Sequence, residues 1–255
     1  MVNFNMEKIF NLIREAGQIA LFEQKQLHTK TKPDGSIVTN GDLKVSHFLE
    51  TSFKNLYPDF DVYSEENCGK LPQSNKAIVI DPIDGTLSYA KKLDTWSLLV
   101  AFVEGPETKS GFVYQPTLDK MFYAVKLQGA FFSENGLPFQ PMKAEGTGEL
   151  KGTKSFKNMG ESEFLHSFQI HKIDEMYSAA LKIMKVALGE CDLYPNFQKG
   201  CSIWDLLAPQ LILKESGGSL IFENEVSWDY QNPKLAEKFC AFGSRISKYD
   251  LSRWS

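Results

Sequence analysis

Ala77-Ile78-Val79-Ile80-Asp81-Pro82-Ile83-Asp84-Gly85-Thr86 is the stretch on which the reading of this chain turns. Ala77 to Ile80 form a short apolar, β-rich run, which predicts a buried strand ending on Asp81. That strand delivers two carboxylates three residues apart, followed by Gly-Thr at the expected start of a helix or turn. Close carboxylates repel one another, so they need protons or a cation to sit together. Hard divalent ions such as Mg²⁺ prefer such oxygen ligands. Gly85 leaves room for a phosphate to approach the backbone, and the N–H groups of Gly85 and Thr86 are suited to bind its oxygens. Asp, Pro and Gly are also turn residues, so the motif taken alone is equally readable as a turn.

Upstream of the motif, Val45, Phe48, Leu49, Phe53 and Leu56 predict a helix over about Asn40 to Leu56, with Thr39 and Asp42 as a capping arrangement. Ile9, Leu12, Ile13, Ala16, Ile19 and Ala20 predict an opening amphipathic helix. Lys30 to Ser36, containing Pro33-Asp34-Gly35, reads as a turn or loop. Downstream, Ser97–Val103, Gly111–Tyr114, Met121–Val125 and Gly129–Phe132 read as strands separated by turn residues. The polar, Gly-rich stretch Pro138 to Gly152 is the expected boundary between two lobes. The first, 1–137, would be an α+β lobe carrying most metal ligands. The second, 138–255, would be an α/β lobe carrying Asp205 and the substrate-side residues. Ile173 to Leu188 has the spacing of one long helix. Trp204, Leu207, Ala208, Leu211 and Ile212 predict another, stopped by Gly217-Gly218. It is expected to start near Trp204–Asp205, so that Pro209 falls in its first turn.

The bulk properties bound the function. The chain has 255 residues, 42% hydrophobic and 24% charged, with a net charge of −4 and no long basic run. That composition suits one large domain or two joined lobes. It argues against a partner that is a nucleic-acid polymer, which needs clustered Lys and Arg. A small phosphorylated metabolite remains compatible, because bound cations supply positive charge. Cys68, Cys191, Cys201 and Cys240 fit no zinc or CxxC spacing and read as free thiols of a reducing compartment. No apolar run reaches the ~20 residues of a membrane span, and Met1 to Arg14 lacks a signal-peptide core. The expected location is cytoplasmic.

Other acids are ambiguous singly. Ser64-Glu65-Glu66 has the look of a solvated surface pair. Asp205, after Trp204, and Asp42 have the look of helix caps. Together, Val38-Thr39-x-x-Asp42, Ser64-Glu65-Glu66, Asp81-Pro82-Ile83-Asp84-Gly85-Thr86, Trp204-Asp205-x-x-Ala208 and Gly217-Gly218 resemble, in order, the lithium-sensitive inositol monophosphatase superfamily. The resemblance covers roughly Phe10 to Gly218. It implies a layered α/β/α/β/α sugar-phosphatase fold and two or three Mg²⁺ ions. Glu65, Asp81 and the Ile83 carbonyl would hold the first ion, and Asp81, Asp84 and Asp205 the second. Glu65 would help hold a third through water. Gly85 and Thr86 would bind phosphate. Asp42 and Thr86 would form a hydrogen-bonded pair that, with Glu65, orients and deprotonates the attacking water. His28, His47, His166 and His171 match no motif and read as ordinary residues.

Asp192-Leu193-Tyr194-Pro195 and the Trp204–Leu213 segment look most like the bisphosphate nucleotidases, which remove the 3′-phosphate of 3′-phosphoadenosine 5′-phosphate. On that reading Tyr194 offers an aromatic wall and Lys199 pairs with the retained 5′-phosphate. Gln198 stands where inositol monophosphatases place a Glu. Leu87-Ser88-Tyr89 departs from the nucleotidase pattern, and Thr95-Trp96 is similar to histidinol-phosphate phosphatases. An inositol, polyol or histidinol monophosphatase is therefore the alternative. A non-catalytic, metal-binding regulatory relative is the distant one, and a monomer or homodimer is expected.

Overall fold

The computed structural model describes residues 4–68, 72, 74–198, 201–224, 233–234 and 238–246. In chain order the helices are α1 (Met6–Lys25), α2 (Asn40–Leu56), α3 (Thr86–Ala90), α4 (Met159–Ser167), α5 (Ala179–Ala187) and α6 (Ile203–Glu215). The strands are β1 (Thr29–Thr31), β2 (Ile37–Thr39), β3 (Asp61–Ser64), β4 (Lys76–Asp84), β5 (Ser97–Glu104), β6 (Glu107–Gln115), β7 (Lys120–Val125), β8 (Ala130–Glu134), β9 (Gln140–Pro141), β10 (Lys151–Ser155), β11 (Lys172–Met176), β12 (Leu193–Asn196), β13 (Ser219–Phe222) and β14 (Phe239–Phe242). β1 and β2 form a hairpin. β3 to β9 form a seven-stranded sheet in sequential order, and a five-stranded sheet runs β11-β10-β12-β14-β13.

The period-two alternation of strand side chains builds the layers. Ile78, Ile80, Val100, Phe102, Phe112 and Tyr114 bury one face of the large sheet against Ile9, Ile13, Val45, Leu49 and Phe53 of α1 and α2. The alternate residues Ala77, Val79, Leu99, Ala101 and Val113 face α5 and α6, whose far side meets Tyr194, Phe239 and Ala241 of the small sheet. Leu193, Cys240 and Phe242 face outward onto Leu165 of α4. The order α1/α2, sheet, α5/α6, sheet, α4 is the α/β/α/β/α layering expected from the sequence.

α6 lies between the two sheets, so it is apolar nearly all round and carries no single stripe. Its partner strand accommodates it through Gly111. A Cβ there would stand 2.9 Å from both the Cα and the carbonyl oxygen of Ala208. Gly111→Ala is accordingly expected to destabilise the protein by about 2–3 kcal/mol through overpacking. Urea unfolding should show a lower midpoint with an unchanged slope; an unchanged midpoint would mean that the helix shifts at no cost.

Two expectations need correction. Residues 173–188 are not one helix: 172–176 form β11, parallel to β10, and Ser178 caps a separate α5 by accepting from the Leu181 N–H. Apolar residues at 173, 176 and 177 suit either element, and pairing with β10 decides. Pro209 sits in the interior of α6, not in its first turn, because the helix starts at Ile203. Its missing N–H costs one helical bond, in a helix held by burial on all sides. No helix among the described residues is long and apolar enough to cross a membrane.

Candidate active site

The site lies where the C-terminal end of β4 meets the N-terminus of α6. In an unbroken strand, residues three apart point to opposite faces. The β4–β5 register shifts between Asp81 and Asp84, and this irregularity turns both carboxylates toward α6. Asp205 enters from the third position of α6. One carboxylate oxygen each of Asp81, Asp84 and Asp205 lie within 4.8 Å of one another. Asp81 Oδ1 accepts the Ile83 N–H at 2.9 Å. Asp84 Oδ2 accepts the Ser178 hydroxyl and the Ala180 N–H, the latter at 2.9 Å. Asp205 Oδ2 accepts the Ser202 N–H at 2.5 Å. The helix-cap reading and the cluster reading of Asp205 therefore both hold: one oxygen caps α6 and the residue also joins the acidic group.

Burial and mutual repulsion govern the charges. Burial first, then Glu65, Asp205 and Asp84, hold the Asp81 carboxyl well above the usual carboxylate range. Burial, with Asp84 and Glu65, pushes Asp205 up to about 8. Burial also raises Asp84, against the opposing Ser178 hydroxyl and Ala180 N–H. Three clustered acids, Asp81 and Asp84 buried and Asp205 half-buried, with this tendency to stay protonated form a donor set suited to a hard divalent cation, which removes the repulsion in the protons' place.

A cavity of about 470 Å³ opens over the group. Its walls include Glu65, Ile83, Gly85 and Thr86 as well as the three aspartates. Gly85 adopts φ +88°, a conformation that favours glycine, and caps α3. A Cβ there would meet the Thr95 carbonyl at 3.1 Å. Asp42 is buried at the third position of α2. Its Oδ2 accepts the Thr39 N–H at 2.8 Å and the Thr39 hydroxyl at 2.5 Å, while Oδ1 has no hydrogen-bond partner. Burial pushes Asp42 up to about 7 against those Thr39 donors. The expected Asp42–Thr86 hydrogen bond is not formed: the Thr86 hydroxyl donates to the Ile83 carbonyl at 3.2 Å.

The substrate-side expectations fare differently. Tyr194 is fully enclosed rather than a wall of the cavity. Its ring meets Phe239 edge-on and carries the Lys182 ammonium at 4.7 Å. Lys182 is itself buried, donating to Ser155 Oγ at 3.0 Å and the Met176 carbonyl at 3.3 Å, and burial pulls it down to about 8. Gln198 is exposed, beyond the end of β12. Lys199 lies outside the described residues. His166 and His171 lie against each other, ring to ring at 5.5 Å, away from the cavity walls.

The structure adds residues that sequence reasoning missed. Lys32, Asp34 and Ser36 of the hairpin, Glu66, and Lys234 also line the cavity. For Lys32, Asp34 and Ser36 the signal was the Lys-Pro-Asp-Gly-Ser turn composition, which says nothing about where the turn points; Glu66 stood in the Ser64-Glu65-Glu66 motif without a role, and Lys234 carried no signal.

Comparison with known proteins agrees with this geometry. Residues 5–238 match the inositol monophosphatase family. The 3′(2′),5′-bisphosphate nucleotidase CysQ of Aggregatibacter actinomycetemcomitans is 28% identical over 234 residues, covering 86% of this chain and 84% of that protein. Inositol monophosphatase 1 of Bos taurus is 30% identical over 261 residues, covering 95% and 92%. A solved structure of an IMPase/NADP phosphatase complexed with Mg²⁺ and phosphate superposes with a TM-score of 0.75 at 19% identity, covering 93% of this chain and 90% of that one. The chain, by its motifs, its layers and its match across nearly all its length, belongs to the inositol monophosphatase family.

Proposed function

We propose that this chain is a Mg²⁺-dependent phosphatase that hydrolyses the 3′-phosphate of 3′-phosphoadenosine 5′-phosphate with an activated water. The observation that carries the reaction class is the Asp81–Asp84–Asp205 group, three carboxylates, two of them buried and the third half-buried, within 4.8 Å in the wall of an open cavity. Mg²⁺ in the related IMPase/NADP phosphatase structure supports the choice of ion. Asp81, Asp84, Asp205, Glu65 and the Ile83 carbonyl would hold two or three ions, which would acidify water and neutralise phosphoryl charge. Gly85 and Thr86 orient the phosphate through backbone N–H groups. Glu65 and Thr86 would position the attacking water and receive its proton; Asp42, whose buried Oδ1 has no partner among the described residues, would join them if the Thr86 hydroxyl turned from the Ile83 carbonyl to it.

The similarity to CysQ and the Asp192–Pro195 and Trp204–Leu213 segments support a nucleotide leaving group. Tyr194 does not supply the aromatic surface, but an aromatic pair adjoins Ser178, the partner of Asp84. Phe156 and Tyr177 stack at 5.1 Å, and Phe156 is 42% exposed. Lys91 at the end of α3 donates to the Tyr177 hydroxyl at 2.8 Å, and Lys157 stands 5.6 Å from the Phe156 ring. Tyr177 directly precedes Ser178, the partner of Asp84. A planar base with a second phosphate suits rings flanked by ammonium groups. Phe156→Ala is expected to raise KM for the bisphosphate about tenfold, the scale of one lost stacking contact, and to leave inositol 1-phosphate kinetics unchanged. Equal effects on both would remove the shelf from the site.

The second reading, an inositol or related polyol or histidinol monophosphatase, draws on the 30% identity to inositol monophosphatase 1. A phosphate-release screen with Mg²⁺ separates the two. It compares 3′-phosphoadenosine 5′-phosphate, inositol 1-phosphate, histidinol phosphate and fructose 1,6-bisphosphate. Preference for the first supports the nucleotidase; preference for inositol 1-phosphate overturns it and keeps the hydrolytic centre.

A further inference from the structure

α4 ends in a turn that holds two histidines side by side. The Ile170 N–H donates to the Leu165 carbonyl at 3.1 Å and the Gln169 N–H to the His166 carbonyl at 2.9 Å. Gln169 takes the left-handed conformation, φ +60°, that this closure of a helix requires. Leu165 and Ile170 are fully buried, packed with Leu193, Cys240 and Phe242. Each is the chain neighbour of one histidine, so the same burial fixes the backbone of His166 and of His171. Both histidine side chains are exposed to solvent. Their ring centres stand 5.5 Å apart, with the planes 32° from parallel. No hydrogen bond or ion pair among the described residues occupies either ring. The ammonium next in the chain, Lys172, is paired with Glu149 at 2.6 Å, so its charge is offset.

We propose that His166 and His171 form a two-imidazole site for a borderline divalent transition-metal ion, of the Zn²⁺, Ni²⁺ or Cu²⁺ class, separate from the carboxylate centre. Two imidazoles that share one ion through nitrogens at about 2.0–2.1 Å, in a bent arrangement, place their ring centres roughly 4.5–6 Å apart. The observed spacing falls in that range, so rotation about the side-chain bonds brings one nitrogen of each ring onto a common point. The backbone does not have to move, because the turn is already closed. Water completes the coordination on the exposed side. Nitrogen ligands without a carboxylate select this class of ion over Mg²⁺, which prefers oxygen. An ion held there ties the end of α4 to the start of β11, an edge strand that pairs only with β10. β11 leads through Tyr177 to Ser178, the donor to Asp84, so the tie lies on the segment that runs to the active site.

The test is calorimetric titration with Ni²⁺, at increasing Mg²⁺, of the wild-type chain, His166→Gln, His171→Gln and His28→Gln. His28 is an exposed histidine outside this turn and controls for the loss of a lone imidazole. One Ni²⁺ event should persist at every Mg²⁺ concentration in the wild-type chain and in His28→Gln. It should weaken at least about tenfold in each of the other two variants, since each removes one of two protein ligands. Ni²⁺ that enters the carboxylate centre behaves oppositely: Mg²⁺ displaces it, and no histidine variant changes it. His166→Gln and His171→Gln should melt with the wild-type chain in chelator, which separates a lost ligand from a lost fold. Electron paramagnetic resonance of Cu²⁺ on the wild-type chain gives a readout that needs no variant, with coupling to two imidazole nitrogens expected. The proposal is overturned by the absence of a Mg²⁺-insensitive Ni²⁺ event, by an event that responds to only one of the two histidines or to neither, or by coupling to a single nitrogen.

Discussion

Asp81→Asn is expected to lower kcat at least ~10³-fold, with the fold retained. Burial and three acidic neighbours, Glu65, Asp205 and Asp84, all act on Asp81. An amide keeps its volume and its acceptor for the Ile83 N–H but withdraws the charge that a cation needs. Excess chelator should silence the wild-type chain to the same degree, with recovery on adding Mg²⁺. A second readout separates lost chemistry from lost structure. In chelator near neutral pH, Asp81→Asn should melt higher than wild type, because it removes a buried carboxyl that the metal-free fold must keep protonated while the unfolded chain ionises it. A variant that keeps a tenth of wild-type turnover would end the assignment of Asp81 as a ligand.

The metal-free protein is expected to lose thermal stability steadily between about pH 5 and pH 8.5, and saturating Mg²⁺ is expected to flatten that dependence. The sign follows from the direction of the shifts. Asp42, raised to about 7, and Asp205, raised to about 8, bind protons more tightly folded than unfolded, where such groups titrate near 4. Their protonated state favours the fold in full below the unfolded value. That contribution is lost as pH rises through the folded values, since buried carboxylates must then ionise beside one another. Bound Mg²⁺ reverses the preference by stabilising the ionised forms. Melting curves in chelator and in Mg²⁺ across this range check it. A metal-free protein whose melting temperature rises from pH 5 to 8 would contradict the buried acidic cluster.

Much of the fold was legible because its determinants are local. α2 occupies Asn40–Leu56 as its apolar spacing predicts, and Thr39 with Asp42 closes the capping box at its start. β4, β5 and β7 fall on their apolar runs. The misread stretch, 173–188, failed for the same reason: its pattern fits a helix, yet its first four residues pair with β10, which is distant in sequence. The acids were found by their motif, but their surroundings were not. Tyr194 looks like a site residue in the sequence and is enclosed by Phe239 and Lys182, neither of which is near it in the chain.

The sequence by itself determined which residue types stand together: a strand ending in paired aspartates, Gly-Thr after them, and acids at the starts of two helices. These are choices made within a few residues, by side-chain period, capping and turn chemistry. Only the tertiary structure decided which way they point. The register shift in β4 turns Asp84 to the side of Asp81, and the seating of α6 between two sheets brings Asp205 to both. The placement of the hairpin sets Lys32 on Glu65 and Glu66, and the Thr86 hydroxyl goes to Ile83 rather than to Asp42. Each of these depends on packing between elements far apart in the chain, where burial and charge balance choose among partners that local patterns leave equivalent.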